Sequence, residues 1–106
     1  MKIAQTEIFG PIMCIFTFKT DEEAISIANS SPFALGGSVF CLDSNRRDKF
    51  MKNMRSGMVN ANDFAVNYLC QSLPFGGIGE SGFGRFAGEE GLRGCCYERA
   101  STEDKF

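Results

Sequence analysis

The residues with the clearest potential for chemistry are Gly77–Gly82, whose spacing G-x-G-x-x-G is that of a dinucleotide-binding turn. Such a turn follows a buried strand and opens a helix, so that the helix amides meet the pyrophosphate. Here Pro74 removes a backbone donor where the strand should end, and Gly84 and Gly88 stand where the helix should begin. An acidic residue about 20 positions on should close a second strand, but a polar tail follows instead. The sequence therefore argues against a nucleotide-binding turn at these glycines.

Cysteines are the other candidates for chemistry, and their setting favours packing roles. They are Cys14, Cys41, Cys70, Cys95 and Cys96. The count is odd, no CxxC pair occurs and the chain has no histidine, so we expect neither a disulfide scaffold nor a metal site. No histidine or nearby cation would activate Cys70, and the adjacent pair Cys95–Cys96 supplies only two metal ligands. We expect reduced, mostly buried thiols in a cytoplasm-like compartment.

The composition narrows the function classes. A chain of 106 residues fits one small domain, and its 43% hydrophobic content with 11 Phe is that of a globular protein. Eleven basic and thirteen acidic residues form no basic stripe, so nucleic acid and anionic membranes are not expected partners. No apolar run is long enough to span a bilayer, and no signal-peptide pattern is present.

The elements that would position these residues alternate between strand and helix. Periodicity predicts strands over 11–18, 37–42 and 58–61, with helices over 20–30 and 44–55 between them. Thr20–Asp21 and Asp43–Asn45 are the expected N-cap segments of these helices. The β-α-β-α-β order predicts parallel strands joined by right-handed crossovers, which is an α/β architecture.

Residues 62–88 lose this periodicity and are rich in glycine. Phe and Tyr side chains argue against disorder, so we expect an ordered, irregular segment beside a ligand or a neighbouring subdomain. A short helix near 89–92 and a final strand near 96–99 would close the chain. The predicted organisation is an α/β part (1–61), an irregular crossing segment (62–88) and a helix-plus-strand end (89–106).

Several motifs along the chain resemble those of one known enzyme family. Glu7–Pro11 resembles the E-x-F-G-P motif of the aldehyde dehydrogenase superfamily. The segments DEEAISIANSSPFALGGSVF and SGMVNAND follow in that family's order, and PFGGIGESGFGR is similar to its P-F-G-G-x-x-x-S-G-x-G segment. The resemblance covers about residues 5–100, and it implies a C-terminal piece of the family's catalytic domain. The glycines at 77–82 then correspond to the family's C-terminal crossing segment.

The resemblance implies cofactor contacts to NAD or NADP. Glu7 would accept hydrogen bonds from the nicotinamide ribose hydroxyls, and Phe9 would pack beside the nicotinamide ring. A carboxylate accepting two hydroxyls is a suitable clamp for a ribose. The alternatives are a solvated charge at the end of a strand for Glu7 and a core aromatic for Phe9.

The resemblance also implies a substrate tunnel lined by Asn62, Phe64 and Phe75. Apolar walls suit a small-molecule aldehyde with a hydrophobic tail, and Phe75 has a core aromatic as its alternative. The 62–74 loop looks closer to the fatty-aldehyde branch of the family, and so does position 79, where glycine stands rather than lysine. The segment GRFAGEEGL is instead similar to the mainstream branch. The size of the aldehyde therefore stays open.

The chain departs from the family at the catalytic residues. The family's nucleophilic cysteine motif, its E-L-G-G base motif and its dinucleotide-binding domain have no counterpart in these residues, so we expect no catalytic residue here. One hypothesis is a fragment of an NAD(P)-dependent aldehyde dehydrogenase, which works through a cysteine thioester as part of a homo-oligomer or with a missing N-terminal portion. The alternative is a non-catalytic remnant that binds a full-length relative, with its final strand as the edge.

Overall fold

A computed structural model describes residues 1–64 and 66–105. Ala65, in the predicted segment 62–88, and Phe106, at the end of the predicted segment 89–106, lie outside the described residues. The helices are α1 (Asp21–Ala28), α2 (Ser44–Asn53), α3 (Val66–Leu69) and α4 (Gly88–Arg93), and a 3-10 turn covers Lys2–Gln5. The strands are β1 (Phe33–Ala34), β2 (Gly36–Val39), β3 (Met58–Ala61) and β4 (Ile78–Gly79).

The strands form two small sheets. β2 and β3 pair in parallel, in a register that runs from Gly36 opposite Met58 to Val39 opposite Ala61. β1 and β4 pair antiparallel over two residues each. The helix α2 connects the parallel strands, as a parallel pair requires. The α/β class and the parallel pairing of the second and third predicted strands are confirmed, whereas the short β1–β4 pair and α3 were not predicted.

Local signals explain the two longer helices. The Thr20 hydroxyl accepts a hydrogen bond from the Glu23 amide at 3.2 Å, and the Asp43 carboxylate accepts one from the Arg46 amide at 3.0 Å. Each bond satisfies an amide that has no partner within the first turn of the helix, which is why these residue types mark helix starts. Each predicted cap segment contains the observed N-cap, Thr20 or Asp43, and the short helix near 89–92 is confirmed.

Two predicted strands are wrong. Residues 11–18 and 96–99 belong to no strand in the described part of the chain, and their side chains are exposed. The 11–18 run is apolar on both faces, which is typical of a central strand with neighbours on each edge and layers on each face. The described elements supply neither neighbouring strands nor covering layers, so residues 11–18 have no strand to pair with.

The protein buries little apolar surface. Among the described residues the buried apolar set consists of Ala34, and many Phe, Ile and Leu side chains are exposed. The radius of gyration is 18.4 Å, against about 13 Å for a compact domain of this length. The packing that the globular composition predicts is therefore not found among the described residues. The thiols follow the same trend: Cys14, Cys95 and Cys96 are exposed, and Cys41 and Cys70 are half-buried.

Ion pairs hold α1 against α2. Arg46 contacts the Asp21 carboxylate at 2.7 Å, and Lys49 contacts the Glu22 carboxylate at 2.5 Å and that of Asp21 at 3.8 Å. Hydrogen bonds from these two cations are the chief reason that the pKa values of Asp21 and Glu22 lie below the usual 3.8 and 4.5. Such pairs are solvent-exposed, and salt weakens them.

This network predicts acid sensitivity of the helix pair. A carboxyl group with a lowered folded-state pKa stabilises the fold above its unfolded pKa, and that contribution is lost as the pH falls through the folded value. We therefore expect helical circular dichroism to fall as the pH drops below about 4. Asp21→Asn should weaken this dependence, while Asp104→Asn in the exposed tail should preserve it. Identical acid transitions in the parent and Asp21→Asn would contradict the prediction.

Candidate functional site

An open groove of about 580 Å³ lies beside the parallel strand pair. Its apolar wall contains Phe40, which directly follows β2, and Phe64, which follows β3 by three residues. Phe75 and Tyr68 complete the aromatic lining. Ligand sites in α/β folds typically lie outside the carboxyl ends of parallel strands. Phe40 and Phe64 stand near that end of the pair, whereas Phe75 directly precedes Gly76, which packs at the start of β3.

The aromatic wall is held by backbone pairing. Phe75 and Phe86 exchange two backbone hydrogen bonds of 2.7 and 2.9 Å, and their rings are 4.8 Å apart. Tyr68, carried by α3, meets the Phe75 ring edge-to-face with centroids 5.4 Å apart. Edge-to-face aromatic pairs add stabilisation beyond the area that they bury. Phe75 is thus fixed from two sides, while Phe64 is 82% exposed and free to contact a ligand.

Polar groups at the groove are few. Asn60 in β3 is only 9% exposed and lines the groove together with Ser38 and Asn67. Asn67 donates to the Val59 carbonyl at 3.3 Å, which ties α3 to β3. No charged side chain lines the groove among the described residues. Such a lining suits a neutral, largely apolar ligand oriented by a few hydrogen bonds.

Asn62 extends the parallel ladder beyond the last strand residue. Its amide donates to the Val39 carbonyl at 2.7 Å, its side-chain oxygen accepts from the Cys41 amide at 2.8 Å, and its side-chain nitrogen donates to the Cys41 carbonyl at 3.1 Å. The backbone is left-handed here, with φ of 53°, a conformation that Asn tolerates better than most residues. Asn62 therefore turns the chain out of β3 toward Phe64.

The cofactor-contact candidates lie apart from the groove. Glu7 is exposed, Phe9 is 93% exposed with φ of 46°, and neither lines the groove. The structure thus brings Phe64 and Phe75 together at one groove, with Asn62 beside it as a backbone clamp. It does not bring Glu7 or Phe9 to that groove. Their assignments as cofactor residues, and those of Asn62, Phe64 and Phe75 as substrate residues, stay predictions.

The glycine segment is a tightly folded connection that packs near the groove. Arg85 donates to the Gly77 carbonyl at 3.0 Å and to the Gly84 carbonyl at 2.6 Å. A Cβ on Gly57 would overlap the Gly76 carbonyl, so the backbone of this segment packs directly against the start of β3. The glycines therefore serve close backbone approach. Sequence reasoning missed Asn60, Tyr68 and Arg85, although a polar residue inside a predicted strand was a usable signal for Asn60.

Cys70 does not form a nucleophile–base pair. Its sulfur lies 3.2 Å from the Ser72 hydroxyl, and this hydrogen bond is the main reason that the pKa of Cys70 is lowered. A serine hydroxyl stabilises a thiolate but does not accept its proton at neutral pH, so it is no substitute for a catalytic base.

Within the described ranges 1–64 and 66–105, no group of three or more His, Cys, Asp or Glu side chains is arranged to hold a metal ion. None of the helices in these ranges has the length and apolar character needed to cross a membrane.

Comparison with known proteins gives consistent matches. The profile of the aldehyde dehydrogenase family matches residues 1–100. An aldehyde dehydrogenase-like protein of Schizosaccharomyces pombe is 51% identical over 106 residues, which cover 100% of this chain and 20% of the relative. Aldehyde dehydrogenase family 3 member F1 of Arabidopsis thaliana is 39% identical over 102 residues, which cover 96% of this chain and 21% of the relative.

Solved structures agree with the sequence relatives. The apo betaine aldehyde dehydrogenase of Staphylococcus aureus superposes with a TM-score of 0.84 at 38% identity, over 89% of this chain and 18% of that one. An aldehyde dehydrogenase of Mycobacterium tuberculosis in complex with NAD+ superposes with a TM-score of 0.81 at 41% identity, over 89% of this chain and 19% of that one. The chain thus spans about a fifth of the length of these relatives.

The ladder role of Asn62 is testable by hydrogen exchange. Asn62→Ala removes the acceptor of the Cys41 amide and places alanine in the left-handed region, a combined cost of about 2 kcal/mol. We expect the Cys41 amide to exchange roughly tenfold faster or more. Asn62→Gly adopts the left-handed backbone without strain, so its effect on exchange measures only the loss of the side-chain hydrogen bonds to Cys41. Asn67→Ala, which loses a bond to Val59 instead, is the control, and equal Cys41 exchange in Asn62→Ala and Asn67→Ala would refute the role.

Proposed function

The chain belongs to the aldehyde dehydrogenase family, and from this we propose that it supplies part of the aldehyde tunnel and the nicotinamide-ribose contact of an NAD(P)-dependent aldehyde dehydrogenase. The observation that carries the proposal is the groove along β2 and β3, which is walled by Phe75 and by Phe64, the residue that follows the carboxyl end of β3. Ligands of α/β folds bind at such edges. The nucleophile and the general base would come from protein outside these 106 residues.

The chemistry of Glu7 and Phe9 fits the proposed cofactor contact. Glu7 presents an exposed carboxylate, which accepts hydrogen bonds and donates none when ionised, as two ribose hydroxyls require. Phe9 presents an exposed ring two residues away, suited to lie against a flat heteroaromatic group. When bound, NAD(P) would accept the hydride that aldehyde oxidation releases.

The groove supports a neutral aldehyde with an apolar tail as substrate. Its described lining is aromatic and uncharged, so a charged tail would lose hydration there without gaining an ionic partner. Phe75, fixed between Tyr68 and Phe86, would form the rigid wall, and Phe64 would adapt to the tail. The aromatic walls would also exclude water from the reacting carbonyl.

A second candidate function rests on two unpaired segments, the apolar residues 11–18 and the largely polar residues 95–105. Residues 11–18 and 95–105 are exposed and pair with no strand among the described residues. A non-catalytic chain could use either segment to add a strand to the sheet edge of a full-length relative. Assembly into a homo-oligomer and cytoplasmic location stay predictions under both functions.

The mass of the native polypeptide separates the two functions. An antibody against residues 43–56 would be used to blot an extract of the source cell. A band several times larger than the 11.7 kDa of this chain is expected from the dehydrogenase proposal. A band at 11.7 kDa would instead favour the interaction module.

The cofactor role is tested in the dehydrogenase that contains this chain. Glu7→Gln replaces an ionic acceptor by a neutral amide, and hydrogen bonds to charged groups contribute about 1.5–3 kcal/mol. We expect the KM for NAD(P) to rise about 10- to 100-fold, with a smaller change in the KM for aldehyde. Phe75→Ala should show the opposite pattern, and Glu103→Gln in the tail is the control. An unchanged cofactor KM in Glu7→Gln would exclude the ribose contact.

A further inference from the structure

The adjacent cysteines Cys95 and Cys96 are a feature that the proposed function does not use. Both are free and exposed, although cysteine is among the residue types most often buried. The sequence expectation that the thiols pack as small hydrophobes is therefore wrong for this pair. Two adjacent, accessible thiols are available to bind one centre together, and the surrounding residues limit which centre that is.

The turn after α4 holds the pair in place. The Cys95 amide donates to the Leu92 carbonyl at 3.1 Å, and the Cys96 amide donates to the Arg93 carbonyl at 3.0 Å. The Cys96 sulfur lies 3.4 Å from the Leu92 carbonyl, a weak contact that a stronger ligand would replace. Because the backbone is already ordered, binding through both sulfurs costs less conformational entropy than binding to two distant thiols.

The donor set decides the class of ligand. Zinc in proteins takes four ligands, and among the described residues no group of three or more His, Cys, Asp or Glu side chains could hold a metal ion. Soft sulfur donors favour soft, thiophilic centres instead. A centre that is satisfied by two thiolates and needs no carboxylate or imidazole fits the site.

We propose that Cys95–Cys96 is a dithiol site for soft, thiophilic centres of low coordination number, represented by trivalent organoarsenicals. With phenylarsine oxide, the two S–H bonds and the As=O bond break, two As–S bonds form and one water molecule leaves. Arsenic stays trivalent and no sulfur is oxidised, so the step requires no oxidant or reductant. The product is a cyclic dithioarsinite that spans the 95–96 peptide.

The test is intact-mass spectrometry of the full chain with phenylarsine oxide in the presence of excess glutathione. We expect one arsenical per chain, resistant to the monothiol and removed by ethanedithiol. Cys95→Ser and Cys96→Ser should each reduce retention at least 100-fold, because a single As–S bond exchanges with glutathione. A Cys14→Ser/Cys70→Ser double variant, which removes two other accessible thiols, should retain the arsenical within twofold.

Three results would overturn the site: no retained adduct on the parent chain, retention in either single Cys95 or Cys96 variant, or loss in the Cys14→Ser/Cys70→Ser control. Peptide mapping of the parent chain adds a readout that does not depend on how the variants fold. It should place the arsenic on a peptide that contains both Cys95 and Cys96, and any other placement would reject the proposal.

Discussion

The structure depends on the parallel ladder between β2 and β3. Four residue pairs, from Gly36–Met58 to Val39–Ala61, define the ladder, and Asn62 continues it with its own side chain. Because parallel strands need a crossover, the ladder also determines where α2 lies. Its carboxyl end leads into the aromatic groove, and its start contacts the glycine segment, where Gly57 faces the Gly76 carbonyl. The position of α2, the groove and the glycine segment thus all depend on the pairing of β2 with β3.

Sequence reasoning succeeded where the determinants are local. The caps at Thr20 and Asp43 act over three residues, and the spacing of apolar residues within α1 and α2 is contained in each helix. It failed over 11–18, because an apolar run predicts a central strand only if neighbours exist to pair with it. The two-residue strands β1 and β4 carry too few side chains to show any period.

The candidate site was predictable in part for the same reason. Family resemblance selected Phe64 and Phe75, and the structure places both at one groove. It gave no indication that both polar ends of the Asn62 amide would be engaged by Cys41, since that contact requires β2 and β3 to be aligned in space. A polar residue inside the predicted strand 58–61 was a signal for Asn60, but its burial depends on neighbours that the sequence does not place.

The exposed apolar surface and the openness of the groove have one physical origin. Among the described residues Ala34 is the buried apolar side chain, so they supply no second apolar layer, which closing a groove over the aromatics would need. Thioester chemistry at an aldehyde depends on keeping water out until a base activates it, so an open aromatic wall is only half of such a site. Under the proposed function, protein outside these 106 residues would supply the apolar layer that closes the groove opposite Phe64 and Phe75.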